Sequence, residues 1–127
     1  MNGKGTPKTA AGKKLPGAMP PQALAALDKW SSIDPNDPAN KEAMIGGLTA
    51  VLVQTYMHGN AAWKKVIREI LTRVKAGGKV ELMRVARSLI TGFVGGKKLS
   101  REVAQATLVA LDEKQDEVFT QLTSLPL

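Results

Sequence analysis

Residues 60–78 read NAAWKKVIREILTRVKAGG, and their spacing decides the fold. Trp63, Val66, Ile67, Ile70, Leu71 and Val74 recur three and four positions apart, the repeat of one helical face rather than the alternation of a strand. Lys64, Lys65, Arg68, Arg73 and Lys75 occupy the remaining surface, with Glu69 the only acid among them. Asn60 is placed to cap the helix, and Gly77-Gly78 supplies the flexible backbone at which a helix stops. One side is built for a protein core and the other for a polyanion. A solvated lysine face is the plainer alternative, and the flanking sequence bears on the choice.

Upstream, residues 21–31 predict a short helix with Leu24, Leu27 and Trp30 facing inward. SSIDPNDP is a turn cluster, and Asp37 followed by Pro38 marks the start of the next helix. That helix runs to His58 with Gly59 as its stop, and Met44, Ile45, Leu48, Val51, Leu52 and Tyr56 form its broad apolar face. Gly46-Gly47 inside it costs about 1 kcal/mol per glycine relative to alanine, which a close helix–helix approach or a kink explains. Downstream, a helix over residues 79–94 turns Leu82, Met83, Ala86, Leu89, Ile90 and Phe93 inward and Arg84, Arg87, Ser88 and Thr91 outward. After the GGKKL turn, Ser100 caps a last long helix reaching Leu122, packed through Val103, Ala106, Leu111, Val118 and Leu122. No strand pattern and no internal repeat is present. The expected class is all-α: a four- to five-helix bundle over residues 22–127, preceded by an extended basic arm over residues 1–21.

The chain has 127 residues, a net charge of +7 and no cysteine. That length supports one domain with a real core. The missing thiols exclude disulfides and thiol-based metal or redox sites. Charge is segregated. Residues 1–14 carry four lysines and no acid, and residues 61–101 carry eleven bases against Glu69 and Glu81. The stretch 15–60 and the tail 102–127 are acidic on balance. LPGAMPPQALAAL is broken by three prolines and lacks a signal-type apolar core. AMIGGLTAVLVQTYM is too short and too polar to span a bilayer. A chain without a transmembrane segment is the expectation.

Catalytic readings fail on the residues. The one histidine, His58, ends an apolar helix, where it interacts with the helix dipole. Asp112, Glu113, Asp116 and Glu117 form an exposed acidic quartet with no histidine or cysteine beside it. GFVGGKKLS places Lys97 where a phosphate loop needs its second glycine, and no strand precedes it. No enzyme activity, metal, cofactor or small-molecule substrate is expected. A helix-turn-helix with Arg84, Arg87, Ser88 and Thr91 as readers would begin on Lys79, Val80 and Glu81, a poor set for base recognition. An ordinary αα-hairpin is the simpler reading.

What remains is a basic constellation: Lys4, Lys8, Lys13 and Lys14 in the arm, then Lys64, Lys65, Arg68, Arg73, Lys75, Lys79, Arg84 and Arg87 on two consecutive helices. Thirteen of the eighteen bases are lysines, which suit sequence-blind phosphate contact, whereas bidentate base reading favours arginine. Five aromatics, most on predicted core faces, make a stacking platform for single strands improbable. Duplex DNA gripped by its backbone fits better. At about one charge per 1.7 Å of duplex, the surplus offsets about 12 Å per subunit, which suits dense, repeated coating. The acidic end of the last helix is then available to meet a neighbour's basic surface.

Together with the length, the all-α body and the absence of cysteine, the opening K-G-T-P-K-T at Lys4 to Thr9 resembles the major coat proteins of filamentous double-stranded DNA viruses of hyperthermophilic archaea (rudiviruses, lipothrixviruses and tristromaviruses). The resemblance implies a helical bundle whose N-terminal arm wraps the genome, with Lys4, Lys8, Lys13 and Lys14 against phosphates. It implies pairing with another copy or with a paralogous second coat protein, stacking into a helical filament, and duplex held in A form. The implied location is the virion nucleocapsid, and otherwise the cytoplasm. Pro16, Pro20 and Pro21 depart from the family's pattern and leave open whether the arm is helical or extended.

Two other classes remain. A cellular DNA-binding module, chromatin-like or helix-turn-helix, predicts affinity that depends on sequence. A protein-interaction module predicts no salt-dependent DNA binding. A coat protein predicts apolar residues such as Trp30, Tyr56 or Leu125 buried only between subunits.

Overall fold

A computed structural model describes residues 17–127. Within them the chain forms five α-helices: α1 (Pro21–Ser31), α2 (Lys41–His58), α3 (Ala61–Gly95), α4 (Arg101–Glu113) and α5 (Gln115–Thr123). There is no strand among the described residues, so the class is all-α as the periodicity requires. The arm lysines Lys4, Lys8, Lys13 and Lys14 lie outside the described residues.

The helices converge on Trp30. Its indole N–H donates to Thr107 Oγ1 of α4 at 3.0 Å, and its ring meets Phe93 of α3 edge-on at 6.2 Å between centroids. Against α2 it lies where a side chain on Gly47 would stand: a Cβ there would come within 2.5 Å of the indole. The close approach explains Gly47, whereas Gly46 faces open space. Trp30 is 1% exposed, so it is buried within the subunit and not between subunits, contrary to the coat-protein expectation. Leu125, half-buried, likewise packs against the subunit's own core. On α1, Ala23 takes the buried place expected of Leu24, which stays 38% exposed.

Gly78 bends α3 back on itself. Its φ of 72° and ψ of −159° interrupt an otherwise helical run of 35 residues, in a backbone region open almost only to glycine. A straight helix of that length would be about 52 Å long, with no common core for its ends. Instead Ile67, Leu71 and Val74 before the bend and Leu82, Ala86 and Ile90 after it join one cluster. Ala18 touches both halves: its carbonyl accepts from the Trp63 indole N–H at 3.0 Å, and it lines a groove with Ser88, Leu89 and Gly92. The stop expected at Gly77-Gly78 is therefore a hairpin turn, and α3 is an αα-hairpin joined at a single residue.

The caps follow the sequence. The Asn60 and Ser100 side chains accept from the backbone N–H of Trp63 and Val103. Asp37 accepts from Ala39 N–H and starts the 3-10 turn Pro38–Asn40, which leads directly into α2. The last helix departs from its expected course: it is not continuous to Leu122 but breaks at Lys114 (φ −122°, ψ 35°). Its side chain reaches Glu42 of α2 at 2.9 Å and Glu117 at 3.9 Å. Leu111 and Val118, seven positions apart, both face the core, so the apolar repeat runs through the break without revealing it. No described helix is long and apolar enough to cross a membrane.

Candidate nucleic-acid interface

The first half of α3 turns Trp63, Ile67, Leu71 and Val74 inward. The remaining positions form the outer surface, and Lys65, Arg68, Glu69, Thr72, Arg73 and Ala76 line one shallow depression along it. From Lys65 to Arg73 this stripe is about 12 Å long, the length of roughly three to four base pairs of duplex. Lys65 and Lys75 make no ion pair among the described residues. Arg73 has a single, long contact, 3.9 Å from Glu81.

The α2 flank of the stripe is more constrained. Lys64 donates to the Tyr56 carbonyl at 2.8 Å and the Met57 carbonyl at 3.5 Å, where the last turn of α2 leaves acceptors without helical partners. Arg68 donates to Tyr56 Oη at 2.7 Å. Both cations lie over the Tyr56 ring, 5.1 Å and 5.3 Å from its centroid. Tyr56 is half-buried: it packs against the core as its spacing predicts, and it is also the floor of a cationic cluster. The signal was present in the sequence: Tyr56 sits in the last turn before the loop, within reach of the first basic turn of α3.

The second half of α3 uses its cations differently. Lys79 pairs with Asp116 of α5, and Arg84 lies 3.3 Å from Glu81. Glu81 itself is drawn in at the hairpin turn, its side chain 18% exposed between Arg73 and Arg84. Only Arg87 is exposed there without an ion pair among the described residues. The eight described cations expected at the interface thus divide. Lys65, Arg68 and Arg73 share an outward surface on the first half, Lys75 is exposed on its flank, and Lys64 anchors α2. Lys79 and Arg84 tie the second half to carboxylates, and Arg87 stands apart. Arg84 and Arg87 therefore differ in their surroundings: Arg84 has a carboxylate beside it and Arg87 has none among the described residues.

The acidic quartet is also largely engaged within the subunit. Glu113 pairs with Lys41 at 2.8 Å, Asp116 with Lys79 and Glu117 with Lys114, and Asp112 accepts from the Gln115 amide. Lys114 holds the Glu42 carboxyl below its ordinary range, chiefly through their hydrogen bond, and Glu42 raises Lys114 by the same contact. Among the described residues no histidine and carboxylate group converges as a metal would need.

No protein-family model matches the chain, and no curated protein and no solved structure matches it either.

Proposed function

We propose that the protein binds duplex DNA through its phosphate backbone without reading sequence, and that many copies coat the duplex as a virion coat protein assembling into a helical filament. The observation carrying the reading is the outer surface of the first half of α3: Lys65, Arg68 and Arg73 line one exposed depression with one acid, Glu69, and Lys75 is exposed on the flank of the same half. Positive charge on one exposed surface, with Glu69 inside it and Glu81 only at 3.9 Å from Arg73, complements a regularly charged polyanion. The four lysines of residues 1–14 extend that charge in sequence. The coat role rests on the arm motif and the excess of charge per subunit.

A helix-turn-helix regulator draws less support. Its reading helix would be the second half of α3, where Lys79 and Arg84 already pair with carboxylates. The deciding experiment is electron microscopy of the purified protein with and without duplex DNA, alongside binding to two unrelated duplexes across a salt series. The reading expects filaments with DNA and equal, steeply salt-dependent affinity for both sequences. Discrete sites of sequence-dependent affinity would favour the regulator, and absence of salt-dependent binding would favour a protein partner.

A further inference from the structure

Where the end of α2 meets the start of α3, hydrogen-bond donors outnumber acceptors. A phenol both donates and accepts. Tyr56 accepts from Arg68 at 2.7 Å, and its own hydroxyl proton has no acceptor among the described residues. A guanidinium carries five N–H donors, and Arg68 commits one of them to Tyr56. No carboxylate pairs with Arg68 among the described residues, and Glu69 does not reach it. Lys64 fixes the arrangement from below, holding the last carbonyls of α2 while its ammonium lies over the same ring. Accepting from a cation polarises the phenolic O–H and makes it a stronger donor. Arg68 also belongs to the outer stripe, flanked by Lys65 and Thr72.

We propose that Tyr56 and Arg68 together form a phosphodiester anchor. The Tyr56 hydroxyl donates to one non-bridging oxygen of a DNA phosphate, and the Arg68 guanidinium donates to the other. Tyr56 is then a ligand-contacting residue on a helix that carries none of the basic stripe, and it holds Arg68 in position before DNA arrives. Holding a long side chain in its bound geometry lowers the ordering cost of binding. The proposal rests on the duplex-binding reading of α3 and adds one contact the charge pattern alone does not contain.

The test uses the full chain and its Tyr56→Phe, Arg68→Ala and doubly substituted variants, titrated with a short DNA duplex across a salt series. The temperature is one at which unfolding curves show every variant fully folded. Tyr56→Phe keeps the ring and removes only the hydroxyl. It is expected to weaken binding by about tenfold at every salt concentration, with the slope of log affinity against log salt unchanged, because a charge-assisted hydrogen bond is lost and no charge is. Arg68→Ala is expected to flatten that slope by about 0.9. The double variant is expected to bind within about twofold of Arg68→Ala, since the two groups act as one unit. Wild-type affinity in Tyr56→Phe, or a double variant that loses the sum of the single losses, overturns the anchor and leaves duplex binding intact. A wild-type chain with no salt-dependent affinity overturns both.

Discussion

The two halves of α3 bury similar apolar faces in one core and treat their charge in opposite ways. Before Gly78, Lys65 and Lys75 have no ionic partner among the described residues, Arg68 rests on a neutral phenol, and Arg73 has only the 3.9 Å contact with Glu81. After it, Lys79 and Arg84 lie against Asp116 and Glu81. The difference comes from the neighbours. The first half starts beside the C-terminal end of α2, which offers carbonyls and a phenol: partial negative charge that orders cations without cancelling them. The second half lies beside the start of α5, where Asp116 pairs with Lys79, while Arg84 pairs with Glu81 on α3 itself. A count of lysines and arginines therefore overstates the candidate interface, and the half of α3 with the less paired charge is the one to test.

Gly78 is the place to break the comparison. Replacing it with alanine forces a Cβ into a conformation that only glycine adopts readily, at an expected cost of about 3 kcal/mol. The change should appear as a lower urea midpoint with the fold otherwise retained. A loss below about 0.5 kcal/mol, the range of a neutral surface change, would mean that the backbone is not held in that region and the two halves do not oppose one another.

Charge removal separates the halves directly. Lys65→Ala, Arg73→Ala and Lys75→Ala combined should lower duplex affinity roughly 100-fold near physiological salt and reduce the salt slope by nearly three, about 0.9 per lost phosphate contact. Lys79→Ala, Arg84→Ala and Arg87→Ala combined should reduce the slope by about one, from Arg87 alone. The second set should instead lower stability by a few tenths of a kcal/mol for each exposed ion pair removed. Equal slope changes in both sets would erase the distinction between the halves.

Much of the body was legible because helical periodicity, caps and glycines are local signals. Ile67, Leu71 and Val74, Leu82 and Ile90, the Asn60 and Ser100 caps and the stop at Gly77-Gly78 all follow from residues within a turn or two of one another. What was illegible depends on partners distant in sequence. Lys79 meets Asp116 from 37 positions away, and no pattern within α3 reveals that its charge is cancelled. The break at Lys114 is hidden for a related reason. LDEKQDEV contains no glycine or proline, and Leu111 and Val118 keep helical phase across it. Tyr56 has the spacing of a core residue, and only the approach of Lys64 and Arg68 from the next helix makes it part of a charged surface.

If Asp116 of α5 is what occupies Lys79, removing its charge should restore a contact. Asp116→Asn leaves the shape of the corner and frees Lys79. The salt slope for duplex binding should then steepen by about 0.9, the contribution of one additional phosphate contact. An unchanged slope would show that Lys79 faces away from the bound duplex, and the interface would be confined to the first half of α3 for geometric reasons as well as electrostatic ones.

The smallest expected effect belongs to the acidic corner itself, through Lys114 and Glu42. Lys114 lowers the Glu42 carboxyl from its ordinary value of 4.5, and Glu42 raises the Lys114 ammonium from its ordinary value of 10.5. A depressed carboxyl contributes stability that is complete above its unfolded value and disappears as pH falls through the folded one. A raised ammonium contributes stability that is complete below its unfolded value and disappears as pH rises through the folded one. The pair is therefore fully stabilising only between those limits, and Glu42→Gln should be less stable than the wild-type chain by a constant margin through neutrality. In urea unfolding that margin should close as pH falls through the depressed folded value, where the wild-type carboxyl is protonated too. A margin that persists in acid would mean that Glu42 contributes through packing, and that α2 is held to the α4–α5 corner by something other than charge.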